Sequence, residues 1–115
     1  MSPATHAVLG ALGDPTRRAM VGMLARGPVT VSALSDSLGM TVTAVGQHLR
    51  LLEHAGLAAS EKRGRTRYCR LHPDGLRELE RWAQQCRAEW EVRFDRLGAL
   101  LDELGEKSPQ ANGGA

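Results

Sequence analysis

Residues 30–57, "TVSALSDSLGMTVTAVGQHLRLLEHAGL", restrict the fold more than any other part of the chain. Val31, Leu34 and Leu38 recur at helical spacing after a threonine able to cap them, and Gly39 stops the run. Thr41 then caps a second run, closed by Gly56, so two short helices flank a three-residue turn. At 100° per residue, Val42, Val45, Leu49 and Leu52 share one narrow arc, which is expected to face a core. The opposite arc is centred on Gln47 and holds Thr43, Ala44, Arg50 and His54, with Thr41 at the tip and His48 on the shoulder. Leu51 is apolar on that polar side and fits neither arc. A helix that only closed a core would need no such face, so this one is expected to reach something polar.

Helices this short need neighbours, and the rest of the chain supplies them. Asp14-Pro15 is a strong helix start, with Asp as cap and Pro in the first turn, for a run to Arg26 that "RGP" ends. Residues 4–12 read as a short Ala/Leu helix before it. After Gly56, "LAASEK" and "TRYCRL" read as two strands joined by "RGR", with Cys69 and Leu71 on one face and Tyr68 and Arg70 on the other. Pro73 opens a last helix expected to run to about Leu104, whose apolar positions from Leu76 to Leu104 advance by three or four and form one stripe. The fold class expected is mainly α with a small β-hairpin, in the order α-α-α-α-β-β-α. One domain covers 1–105, and 106–115, with nothing to bury, is read as a disordered tail.

Of 115 residues only Trp82, Trp90, Tyr68 and Phe94 are aromatic, so the core rests on Leu, Val, Ala and Met, and dimerisation is a natural source of extra stability. Net charge is +2, but it divides unevenly: residues 1–72 carry +5 and residues 73–115 carry −3. This split is expected where one part meets a polyanion and another does not. Five cations, Lys62, Arg63, Arg65, Arg67 and Arg70, crowd into nine residues of the hairpin. The start lacks the basic and apolar regions of a signal peptide, and no segment has the apolar length of a membrane span, so a cytoplasmic protein with no membrane partner is expected. Cys69 and Cys86 lie far apart and read as reduced thiols. Four scattered His, two scattered Cys and no phosphate loop argue against an enzyme.

In order and spacing, "LGDPTRR" at 12–18, "LSDSLGMTVTAVGQHLRLLEHAGL" at 34–57 and "RGRTRYCRLHP" at 64–73, with Arg63 before it, resemble the ArsR/SmtB family of bacterial transcriptional regulators. The similarity covers about residues 5–105. It implies a winged helix-turn-helix domain, a homodimer and double-stranded DNA as partner, with a repressor on an inverted-repeat operator as the expected function. A recognition helix offers its N-terminal side chains to base edges, which selects Thr41, Thr43, Ala44 and Gln47 for base contact. His48, Arg50, Lys62, Arg63, Arg65 and Arg67 are expected at phosphates. Arg17 and Arg18 fit either a phosphate or an acid. In the family the first and last helices form the dimer interface, which here implies Val8, Leu12, Trp82, Cys86, Trp90, Phe94, Leu97 and Leu101.

Two departures matter. The family usually has Ser where Gly46 stands, which removes a possible phosphate hydroxyl and costs about 1 kcal/mol of helix propensity relative to Ala. Many relatives bind metal through a Cys-x-Cys pair on the helix before the recognition helix, or through His and Asp on the last helix. Here those places show "VSALSDS" and no His after His72, so neither a metal nor another cofactor is expected, and a small-molecule effector is left open. The competing reading is a protein-interaction module that kept the fold and lost DNA binding, with Gly46 as its best support.

Overall fold

The computed structural model describes residues 1–107, which fall into two compact units, Met1–Trp82 and the chain from Ala83 onward. The elements in chain order are α1 (Pro3–Leu12), α2 (Pro15–Leu24), β1 (Val29–Thr30), α3 (Val31–Leu38), α4 (Val42–His54), β2 (Ala58–Arg63), β3 (Thr66–Leu71) and α5 (Pro73–Lys107).

The first four helices begin on side-chain caps. The hydroxyls of Ser2, Thr30 and Thr41 each accept the amide three residues on at 3.1 Å, and such a cap is worth about 1 kcal/mol. The Asp14 carboxylate does the same for Arg17 N–H at 3.0 Å. α3 ends on Gly39 in the left-handed region, φ 63°, which residues with a Cβ rarely occupy. Gly39, Met40 and Thr41 are then all that separates α3 from α4, as the spacing predicts. α2 stops at Leu24, two residues before Arg26, because Arg26 and Gly27 turn back to donate to the carbonyls of Met23 and Leu24.

The hairpin gains a strand. β2 pairs with β3 from Ala58↔Leu71 to Arg63↔Thr66, and β1 adds to the other edge of β3 through Val29↔Cys69 and Thr30↔Tyr68, giving the antiparallel order β1-β3-β2. Two residues are too few for any periodicity, so β1 leaves no mark in the sequence pattern. Gly64 (φ 63°) and Arg65 form the two-residue turn, with glycine first as a type II′ hairpin turn favours.

Met20, Leu34, Val45, Leu52, Leu57 and Cys69 are fully buried in the core of the first unit. Val8 is 1% exposed within the same cluster, and Leu12 packs against it half-buried. The expectation that Val8 faces a partner is therefore corrected: its side chain is already covered by its own chain. Val42 is corrected in the opposite direction. At 55% exposed it sits outside the core that Val45, Leu49 and Leu52 fill, because it is the first residue of α4, ahead of the turn that packs. Burial raises the pKa of the Cys69 thiol, so this cysteine stays protonated and unreactive at neutral pH.

The second unit is, in its described part, a single helix. Trp90 and Phe94 stack one turn apart with centroids 5.0 Å apart. Trp90, Phe94, Leu97, Leu101 and Leu104 are each 50–61% exposed, and Cys86 is exposed too. Trp82, the last residue of the first unit, is half-buried. The helix passes Leu104 and continues through Lys107, so 106 and 107 belong to it and not to the expected tail. The remainder of that tail, 108–115, lies outside the described residues. No helix among the described residues is long and apolar enough to cross a membrane.

Candidate nucleic-acid interface

α4 is fixed from behind and open in front. Val45, Leu49 and Leu52 are at most 2% exposed and anchor its inner side. The turn ahead of it is tied by Ser35 Oγ, which donates to the carbonyl of Met40, while Met40 N–H returns to Ser35 O at 3.1 Å. On the outer side Thr41, Thr43, Gln47 and Arg50 are exposed, and Ala44 is half-buried between them. Four of the side chains selected from the sequence thus share an accessible face, with Ala44 offering only part of its methyl. Leu51 is 52% exposed on the same helix.

His48 stands apart from that group. Its side chain is 22% exposed, and its Nδ1 lies 3.4 Å from Arg17 Nη1 and 3.9 Å from Asp14 Oδ2. A guanidinium can only donate, so neutral His48 accepts at Nδ1 and carries its proton on Nε2. The expected phosphate ligand is thereby engaged by its own chain. The same contacts settle Arg17 and Arg18. Arg17 Nε donates to Ala11 O at 2.6 Å and Nη2 to Gly10 O at 3.4 Å, while Arg18 Nη1 donates to Leu12 O at 2.8 Å. Both arginines cap the last carbonyls of α1, where positive charge is favourable. The signal lies in the sequence: a basic pair five or six residues past the end of a short helix can fold back onto it.

Asp14 closes this network. The backbone N–H of Arg17 holds its carboxyl below the ordinary carboxylate pKa, aided by the charge of Arg17 and, when the ring is protonated, by that of His48. A lowered folded-state pKa contributes stability above the unfolded value and loses it as pH falls through the folded value. Asp14→Asn keeps an effective cap without a titrating group. Thermal melts between pH 5 and about 2.5 should therefore fall less steeply for this variant than for the wild type; parallel curves would remove Asp14 from the acid limb.

The hairpin contributes charge. Lys62, Arg63, Arg65, Arg67 and Arg70 are all exposed. Arg63 has an ion pair, to Glu61 at 3.4 Å, but both partners are largely solvated and the pair is worth little. The side chains of Arg50, Lys62, Arg65 and Arg67 make no ion pair or hydrogen bond among the described residues, where every buried polar side-chain atom is satisfied. Most of the cations without such a partner among the described residues, Arg50, Lys62, Arg65, Arg67 and Arg70, lie on α4 and the hairpin; Arg26, Arg93 and Arg96 lie elsewhere. Arg50, Arg65 and Arg67 line one cleft of about 430 Å³ together with Thr43, Gly46 and the start of α3.

Gly46 occupies the wall of that cleft, and a Cβ built there meets nothing within 4 Å. Gly46→Ala should therefore stabilise the domain by about 0.5–1 kcal/mol, the difference in helix propensity. Urea titration measures this directly, and a loss of stability would mean that the position is not free.

A helix-turn-helix domain family model matches residues 12–61, from the end of α1 into β2. Over 69 residues the chain is 44% identical to the HTH-type transcriptional regulator Rv2034 of Mycobacterium tuberculosis, covering 60% of this chain and 64% of that regulator's length. It is 34% identical to the arsenic resistance transcriptional regulator ArsR1 of Pseudomonas putida, over 90% of this chain and 81% of the relative. Among solved structures, an ArsR-like transcriptional regulator from Rhodococcus sp. RHA1 superposes with a TM-score of 0.74 at 29% identity, covering 84% of this chain and 92% of the other. A capped helix pair with a bare polar face, a cationic hairpin beside it and these relatives lead to one assignment: the chain belongs to the ArsR family of winged helix-turn-helix transcriptional regulators.

Proposed function

We propose that the protein is a homodimeric repressor that binds an inverted-repeat operator in the cytoplasm, without catalysis or a metal. α4 enters the major groove, where Thr41, Thr43, Ala44 and Gln47 meet base edges. Arg50 and the wing cations Lys62, Arg63, Arg65 and Arg67 meet phosphates. His48 acts as a positioning residue, joining α4 to α2 through Arg17 and Asp14. The exposed stripe of α5 from Trp90 to Leu101 joins two copies, so that two recognition helices meet successive turns of the duplex.

The observation that carries this reading is the pairing of an exposed polar face on α4 with Arg50, Lys62, Arg65 and Arg67, whose side chains have no acidic partner among the described residues. Such cations, gathered on α4 and the wing of a +2 protein, are the footprint of a polyanion. Fluorescence anisotropy on the duplex upstream of the protein's own gene, over a series of salt concentrations, tests it. Tight, salt-sensitive binding is expected. Arg65→Ala should weaken binding to all sequences alike and reduce the log–log salt slope by about 0.9 per subunit for each phosphate no longer neutralised. An unchanged slope removes the wing from the interface.

A further inference from the structure

The cleft between α4 and the wing has a composition that suits more than a phosphate strand. Its cations are Arg50, Arg65 and Arg67, and among the described residues no acidic one lines it. Its apolar lining comes from Val31 at the start of α3 and from Val42 and Leu49 on α4. Val42 is 55% exposed there, although most apolar residues at this spacing on α4 are buried. Gly46 leaves the wall without a side chain, so the space stays open. Thr30, Ser32, Thr43 and Thr66 complete the lining.

Unpaired guanidinium groups beside an open apolar surface are complementary to a molecule that carries an anionic head and an apolar body. The volume, about 430 Å³, lies within the range of small-molecule sites. Guanidinium groups pair with carboxylates through parallel charge-assisted hydrogen bonds, and an aliphatic or aromatic body would cover Val31 and Val42. We infer that this cleft is a binding site for an amphiphilic monocarboxylate, and that the ligand and DNA exclude each other because both need Arg50, Arg65 and Arg67. The exclusion rests on the DNA-binding reading above; the occupancy of the cleft does not. Such a ligand would act by direct competition, with no conformational change to transmit.

The test uses sodium decanoate on the full chain, followed by ¹H–¹⁵N correlation spectra, with decanol and inorganic phosphate as probes that lack the head or the body. Saturable shifts at Val31, Val42, Gly46 and Leu49 are expected with decanoate and not with either partial probe. Gly46→Leu should fill the space and abolish them, with a thermal melt to show that the fold is kept. The double variant Arg65→Ala/Arg67→Ala, on the exposed wing, carries the same test should Gly46→Leu not fold, and should weaken decanoate by about tenfold or more. Equal affinity for decanol, equal affinity for phosphate, or shifts confined to Trp90, Phe94 and Leu97 on α5 would each overturn the assignment. Decanoate should also displace a labelled duplex, and cleft binding without displacement would contradict the exclusion. A protein that takes decanoate but binds no duplex refutes the proposed function and leaves the cleft site standing. One that binds duplex and shows no saturable decanoate shift refutes the cleft site alone.

Discussion

Aspartate at both Phe94 and Leu101 is expected to convert a dimer into a monomer and to lower operator affinity by about a hundredfold or more, the usual gain from linking two binding modules. The stripe of Trp90, Phe94, Leu97, Leu101 and Leu104 follows three-and-four spacing, and every member is at least half exposed. An apolar side chain moved fully out of water gains about 1.5–3 kcal/mol, so five of them in one continuous seam are a strong drive for association. Two carboxylates placed in such a seam cannot be desolvated without partners. Val92 supplies the control. It is 51% exposed, but two residues from Trp90 it lies about 200° around the helix, so Val92→Asp should leave the dimer intact. Sedimentation equilibrium reads the association state and anisotropy the affinity. A double aspartate variant that stays dimeric would place the interface elsewhere.

Gln47→Ala is the second large effect, and it falls on specificity. Glutamine can donate to N7 and accept from N6 of one adenine, and a bidentate contact of this kind discriminates by about 1–3 kcal/mol, a factor of about 5 to about 150. Gln47 is exposed and central on the face of α4, so replacing it should leave folding unchanged. Selection from a random duplex pool is expected to return the same half-site with one position relaxed. This differs from Arg65→Ala, which should lower affinity evenly across the pool. An unchanged base preference in Gln47→Ala would mean that α4 does not read sequence at this position.

The helices are legible in the sequence because their signals are local. Ser/Thr/Asp caps, Pro15 and the left-handed Gly39 act within a few residues of one another, and the structure places the boundaries of α3 and α4 where those signals put them. The wing hairpin is legible for the same reason, through alternation and Gly64. What is not legible depends on contacts between distant segments. β1 exists only because β3 offers it a free edge. Val42 shares an arc with Val45 and Leu49, yet it precedes the packed turn and stays exposed. Val8 fits an interface by pattern but fills the core by packing. His48 looks available on a helical wheel, which cannot show that α2 delivers Arg17 and Asp14 to its ring. For the candidate site, the face of α4 and the wing cations follow from residue types alone, while the cleft between them arises only when α3, α4 and the wing pack together.

If the exposed face of α4 and the cationic wing form one DNA-binding surface, a duplex must perturb both together. Titrating ¹⁵N-labelled protein with the selected duplex, and locating the amides that shift, tests this most directly. The largest changes are expected at Thr41, Thr43, Ala44, Gln47 and Arg50 and along residues 62–67, with the stripe from Trp90 to Leu101 little affected once the dimer has formed. Shifts concentrated on α5, with those of α4 and the wing unmoved at saturation, would contradict a shared surface.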